Sequence, residues 1–276
     1  MIFVYQAYGR EDIVRQTLFS VTSLFTVLGT DSPLRVWIYT DQMEMVSKFF
    51  KNHPRVHLEP ITSAQIKDWR GPNEFLHRVK IKILQDAAAK TSGSLFYADG
   101  DTYFFSDPTS LFRRVSDSVS LMHIAENKIQ DGRDLLSRKI RRFVKKNTFD
   151  IAGETVRIPT ETVMWNAGVI GISEKNKSIL PHVLELTDLS YGRYPKHVME
   201  QMAFSYYLQN RTRIEPANAV IGHYWNQKDV YQTAIDGFLL EHPDWQSATG
   251  AYARFPWPPP PELTQKKRFL PDWLRI

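Results

Sequence analysis

The chain of 276 residues contains no cysteine. That excludes disulfides, thiolate metal sites and cysteine nucleophiles, and it fits a reducing compartment. Long apolar runs are also missing, since no stretch reaches the roughly 20 apolar residues that cross a bilayer. The apolar N-terminus ending at Tyr8 meets Glu11 and Asp12 at once. It lacks the basic leader and extended apolar region of a signal peptide and reads as a first strand. No internal repeat is visible at periods of about 20–50 residues, and no glycine-rich phosphate loop follows the first strand. What remains is the composition of a folded soluble domain, 42% hydrophobic and 24% charged, long enough for one large α/β unit. A cytoplasmic location is the expectation.

The order of apolar patterns predicts the architecture. Residues 2–8 read as a buried strand. A helix follows from Arg10-Glu11-Asp12, with Ile13, Thr17, Val21, Leu24 and Leu28 near a 3.6-residue period. Strands over 35–41 and 55–59 flank a second helix, which predicts parallel pairing with right-handed crossovers. In such sheets ligands bind at the carboxyl ends of the strands. That topology predicts Tyr8, Asp41 and Asp99 at one edge. Residues 74–89 predict a helix with Phe75, Val79, Ile83 and Ala87 on one face. It carries Arg78, a candidate for a phosphate or carboxylate, and Lys80 and Lys82, which read as a solvated basic face. Strands over 119–124 and 165–172, helices over 180–189 and 197–208, and a short strand entering at Ala219 complete the pattern.

Two aspartates end the buried run Leu95-Phe96-Tyr97-Ala98 and flank Gly100. Residues two apart on a strand share a face, so Asp99 and Asp101 project together, and Gly100 admits a close ligand. Paired carboxylates a few ångströms apart repel by about 4 kcal/mol at an effective dielectric near 20. A hard divalent cation or a shared proton relieves that repulsion.

In this setting the chain resembles the GT-A glycosyltransferases, in particular the galactosyltransferase and glycogenin-like group called family eight. Four segments over residues 1–230 carry the resemblance: Asp99-Gly100-Asp101 with Ser106-Asp107-Pro108 behind it, Trp165-Asn166-Ala167-Gly168-Val169, Glu200-Gln201, and Gly222-His223-Tyr224 with Lys228. Arg78 also matches a basic position in relatives. Glu200-Gln201 stands where the family has Asp-Gln, and Lys228 lies one residue closer to His223 than in the family. The resemblance implies a mixed, mostly parallel sheet flanked by helices, in a single large domain over 1–230. Within it, 1–125 would form the nucleotide-sugar half, 126–165 a basic excursion and 166–230 the acceptor half, with 231–276 as a proline-rich basic tail. It further implies Mn2+ or Mg2+ on Asp99, Asp101 and His223, and a UDP-sugar donor. Tyr8, Asp41, Arg78, Asp99, Gly100, Asn166, Ala167 and Lys228 would contact that donor. Gln201, Glu200 and Asn166 would flank the reacting sugar, with retention of configuration, and Trp225 would stack on a sugar face.

The net charge of +5 collects in residues 133–147 and 266–275. Both segments mix cations with apolar residues, as in surfaces that meet an anionic membrane or cover a groove for an anionic ligand. A glycan or glycolipid acceptor and peripheral attachment at the inner face of a membrane are therefore expected. Two other readings compete. A non-catalytic membrane-surface or nucleic-acid-binding protein would use the same basic segments, but no nucleic-acid module is recognisable and no nucleic-acid partner is expected. A haloacid-dehalogenase-like phosphatase would use an Asp-x-Asp-x-Thr nucleophile. Here Thr102 comes one position too early, and three strands precede the motif.

Overall fold

The computed structural model describes residues 1–28 and 32–258. The first half alternates as the patterns predict, except for α3, which they do not anticipate: β1 (Ile2–Ala7), α1 (Glu11–Leu28), β2 (Arg35–Thr40), α2 (Met43–Phe50), β3 (Val56–Pro60), α3 (Ser63–Arg70), α4 (Arg78–Lys90) and β4 (Leu95–Ala98). Next come β5 (Thr102–Phe104), α5 (Thr109–Phe112), β6 (Val119–Met122), β7 (Ala125–Lys128), α6 (Leu135–Lys146), β8 (Phe149–Ile151) and β9 (Glu154–Val156). The chain continues through β10 (Val163–Trp165), β11 (Val169–Ile172), α7 (Leu180–Arg193), α8 (Met199–Arg211), β12 (Arg213–Pro216), β13 (Ile221–His223), α9 (Lys228–Glu241) and α10 (Trp245–Ala251).

Seven strands form the central sheet in the order β12-β6-β11-β4-β1-β2-β3. Pairing is parallel throughout β4-β1-β2-β3 and antiparallel only where β11 meets β4 and β6. The sheet is therefore mixed and mostly parallel, as expected. Helices cover both faces, so β4 is apolar at every position and its side chains alternate between two cores. Phe96 and Ala98 join Phe3, Phe19 and Leu24 on the α1 face, whereas Leu95 and Tyr97 join Val79, Ile83, Leu186 and Met202 beneath α4, α7 and α8.

Three further elements differ from the sequence reading. The helix expected from residue 74 begins at Arg78, because Gly71 ends α3 at φ 68° and Glu74 adopts φ 50°. The strand expected over 165–172 is two strands in different sheets. Between them the Asn166 side chain accepts the Gly168 N–H at 2.9 Å, closing a turn that redirects the backbone. Residue 230, the expected end of the main domain, lies inside α9. Tyr231, Ile235, Phe238, Tyr252 and Phe255 pack into the same core as Phe19, with the Phe19 and Phe255 rings 4.4 Å apart. The basic segment 266–275 lies outside the described residues.

Candidate active site

At the carboxyl end of β4 the backbone leaves the central sheet through Asp99-Gly100-Asp101 and enters β5, a strand outside that sheet. The Asp99 N–H donates to the Gly168 carbonyl at 2.8 Å, which joins this turn to the one after Asn166. β13 pairs antiparallel with β5 and sets His223 opposite Thr102, so the imidazole reaches Asp101. Gly168 has to be glycine, since a Cβ there would lie 2.3 Å from the His223 ring. The two turns and the β5-β13 ribbon thus gather Asp99, Asp101 and His223, whose ligand atoms all lie within 4.8 Å of one another.

Hydrogen bonds fix how each group presents itself. Asn166 Oδ1 already accepts from the Gly168 backbone and lies 3.1 Å from His223 Nδ1, so that ring nitrogen carries the proton and donates. The other nitrogen, Nε2, lies 3.2 Å from Asp101 Oδ1, where it donates when the ring is protonated and can bind a cation when the ring is neutral. Asp101 is only 5% exposed. Burial alone would raise its pKa, but the neighbouring His223 and Lys228 outweigh that and hold it well below the usual carboxylate range. Lys228, at the start of α9, places Nζ 2.8 Å from Asp101 Oδ2.

Beneath these groups lies a buried ionic triad. Lys80 Nζ sits 3.2 Å from Asp99 Oδ1, 3.1 Å from Glu200 Oε1 and 3.0 Å from the Ala167 carbonyl. Lys80 and Glu200 are each 3% exposed. Burial depresses the lysine, yet the two carboxylates outweigh it and raise its pKa. Burial pushes Glu200 up to about 7, with Lys80 pulling in the opposite direction. The Tyr97 hydroxyl also donates to Asp99 Oδ1, at 2.6 Å, and Lys80 Nζ donates to its Oδ2 at 3.3 Å. Asp99 is therefore held from below on both oxygens and reaches the cavity with fixed geometry.

The cavity above measures about 730 Å³, within the ordinary range for a small-molecule site. Tyr8, Asp99, Gly100, Asp101, Asn166, Ala167, Glu200, Gln201, His223 and Lys228 line it, as does Trp225 at the rim, 57% exposed. Two expected donor contacts lie elsewhere. Arg78 donates through Nε to Asp188 at 2.7 Å and through a terminal nitrogen to the Trp69 carbonyl, and it does not line the cavity. Two residues along α4 is about 200° around the helix, so Lys80 takes the inward position that was expected of Arg78. Asp41 accepts the Gly9 N–H at 3.0 Å and also stands outside the lining. The sequence reading missed two groups. Lys80 looked like part of a solvated face. Glu126, on the exposed strand β7, accepts from Gln201 Nε2 at 2.9 Å and places a carboxylate on the cavity wall. No sequence pattern marked Glu126.

This fold, with its paired aspartates at a strand end, is that of the GT-A glycosyltransferases. One similar solved structure is the galactosyltransferase LgtC in complex with donor and acceptor sugar analogs. The chain is 13% identical to it, with a TM-score of 0.55 over 94% of this chain and 98% of that one. Mouse xyloside xylosyltransferase 1 in its apo form is 11% identical, with a TM-score of 0.50 over 78% and 83% of the two chains. An active-site mutant of LgtC matches at 14% identity, with a TM-score of 0.50 over 74% and 69%. No family model and no curated protein matches the sequence.

Proposed function

We propose that this protein is a retaining glycosyltransferase. It moves a sugar from a nucleoside diphosphate donor, expected to be a UDP-sugar, to a hydroxyl of a glycan or lipid-linked acceptor. The observation that carries this reading is the convergence of Asp99, Asp101 and His223 on one wall of a cavity large enough for a nucleotide sugar. The donor set suits Mn2+ or Mg2+, with two carboxylates and one imidazole whose free nitrogen faces them. Lys228 already places a cation on Asp101. Bound there, the metal would neutralise charge on the departing diphosphate.

The chain's own residues would do the rest. Asn166 fixes the His223 tautomer and borders the donor sugar together with Ala167. Lys228, half exposed at the start of α9, exchanges Asp101 for the diphosphate and adds charge there. The Lys80–Asp99–Glu200 triad holds the floor rigid. Gln201 commits its amide nitrogen to Glu126, which leaves its carbonyl oxygen for the reacting sugar face. In the transfer the anomeric carbon–phosphate oxygen bond breaks. The acceptor oxygen bonds to that carbon on the same face, and its proton passes to the leaving phosphate. The tail at 266–275 would hold the enzyme at an anionic membrane surface, where each cation contributes about 1 kcal/mol.

A donor-hydrolysis screen across nucleotide sugars with Mn2+ or Mg2+ tests the assignment. Metal-dependent release of a nucleoside diphosphate, abolished in Asp101→Asn, is expected. The absence of turnover with every donor, or turnover unaffected by chelator, would remove it.

A further inference from the structure

The surface around α6 is charged in a way that the transfer site does not use. Arg133, Arg138, Lys139, Arg141, Arg142, Lys145 and Lys146 lie within fourteen residues. Among the described residues none of them forms an ion pair, whereas Arg15, Lys51, Arg78, Lys90, Arg114 and Lys177 all do. Helical geometry divides the set. Arg138, Arg141 and Lys145, three, four and seven residues apart, share one flank, Lys139 and Lys146 lie about 100° round on the other, and Arg142 stands between them.

The first flank faces the loop at 130–133 across a cleft lined by Gln130, Asp131, Arg133, Arg138 and Arg141. The cleft is built rather than incidental. A Cβ on Gly132 would meet the Ser137 side chain at 2.3 Å, so this loop is pressed against α6 and only glycine fits. Arg141 is half-buried and donates to the Gln130 carbonyl at 2.8 Å, which fixes its guanidinium. Three arginines thus line one cleft, with Asp131 the one carboxylate residue among its lining. Guanidinium forks match the oxygens of a phosphate monoester in pairs, which ammonium groups do not.

The cleft also adjoins the transfer cavity. Lys128, Ile129 and Ser137 line the cavity, and Gln130 and Arg138, one residue further on, line the cleft. From Glu126, hydrogen-bonded to Gln201, the chain to Gln130 spans at most roughly 13 Å. That is the length of a short run of sugar rings.

We infer that the acceptor carries a phosphate monoester, which Arg133, Arg138 and Arg141 grip beside the transfer cavity while a nearby hydroxyl enters it. The inference rests on the transferase reading for its acceptor, and on the cleft alone for its anion. It requires the protein to bind phosphate in solution, independently of any membrane.

Calorimetric titrations with inorganic phosphate, glucose 6-phosphate and glucose test it, run on wild type, on Arg133→Gln/Arg138→Gln and on the opposite-flank control Lys139→Gln/Lys146→Gln. Both phosphates should bind competitively and glucose should not. The arginine variant should lose at least tenfold in affinity, and the control should stay within twofold. Equal phosphate affinity in all three proteins would overturn the inference. So would binding confined to anionic phosphatidylglycerol vesicles and weakened alike by both variants, which marks a membrane face. Stabilisation by UDP with Mn2+ is measured in parallel and should be unchanged in both variants. Its absence in wild type would strike the transferase reading and leave the anion site standing.

Discussion

Lys228 Nζ lies 2.8 Å from Asp101 Oδ2, on the same carboxylate that His223 approaches from its other oxygen at 3.2 Å. The ammonium occupies one oxygen of a carboxylate that a divalent ion would use, so lysine and metal would compete for Asp101. Replacing Lys228 with methionine removes the competitor. The nucleotide-free protein should then bind Mn2+ roughly 1.5-fold to 5-fold more tightly, a range set by the modest strength of half-exposed ion pairs. Electron paramagnetic resonance of free Mn2+ reads this directly. The same variant should bind UDP with Mn2+ more weakly, because the diphosphate loses its lysine. Tighter UDP binding would contradict the exchange.

The buried triad predicts a stability pattern. Lys80→Met leaves the Asp99 and Glu200 carboxylates facing each other without their cation, a loss of about 3–5 kcal/mol. Glu200→Gln introduced into that variant removes one of the two stranded charges and should restore part of the loss. Urea denaturation of the two single variants and the double variant measures the coupling. Additive effects would show that Lys80 and Glu200 do not act on each other.

The pH dependence follows from three buried groups. The pKa of Glu200 is raised from 4.5 to about 7 by burial, so its contribution is full below 4.5 and is lost as pH rises through 7. Those of His77 and His123 are lowered from 6.5 to about 4, again chiefly by burial. Their contributions are full above 6.5 and are lost as pH falls through 4. Each slope is about 1.4 kcal/mol per pH unit. Two rising slopes oppose one falling slope up to pH 6.5, and only the falling slope remains above it. Stability should therefore peak at about pH 6.5. Thermal melts across pH check this, and Glu200→Gln should flatten the profile above about pH 6.5 and steepen its rise between about pH 4.5 and 6.5.

Glu126 separates the two stereochemical courses. In a retaining transfer the leaving phosphate takes the acceptor proton, so Glu126→Gln loses only the support it gives Gln201, a drop of about tenfold or less. In an inverting transfer the Glu126 carboxylate would be the base, and its loss would cost roughly 100-fold to 10,000-fold. The anomeric proton of the first-formed product, followed by NMR, decides between the two.

Much of this was legible in the sequence because the sheet is built from short apolar runs alternating with periodic helices. Each β-strand from β1 to β4 appeared with its helix in order. The Asp99–Asp101 pair was visible because the run before it is apolar at every position, as a strand covered on both faces must be. Lys80 was not legible. It follows Arg78 in a basic stretch, and its burial depends on Asp99 and Glu200, which lie 19 and 120 residues away. A lysine that partners two distant carboxylates has the same local pattern as one in water. Glu126 sits in a four-residue strand exposed at every position, where no alternation can mark an inward residue. The break after Asn166 was hidden because residues 169–172 are as apolar as any strand. Only the side-chain hydrogen bond to Gly168 shows that the chain turns there.

If Asp99, Asp101 and His223 hold a cation for a nucleoside diphosphate, nucleotide binding must depend on that cation. Calorimetric titration of UDP into the metal-free protein, with and without saturating Mn2+, tests it most directly in wild type and in Asp101→Asn. UDP affinity should rise at least 100-fold with Mn2+ in wild type, about 2.7 kcal/mol, with little or no rise in Asp101→Asn. UDP affinity indifferent to Mn2+ in wild type, or an equal rise in the variant, would contradict it.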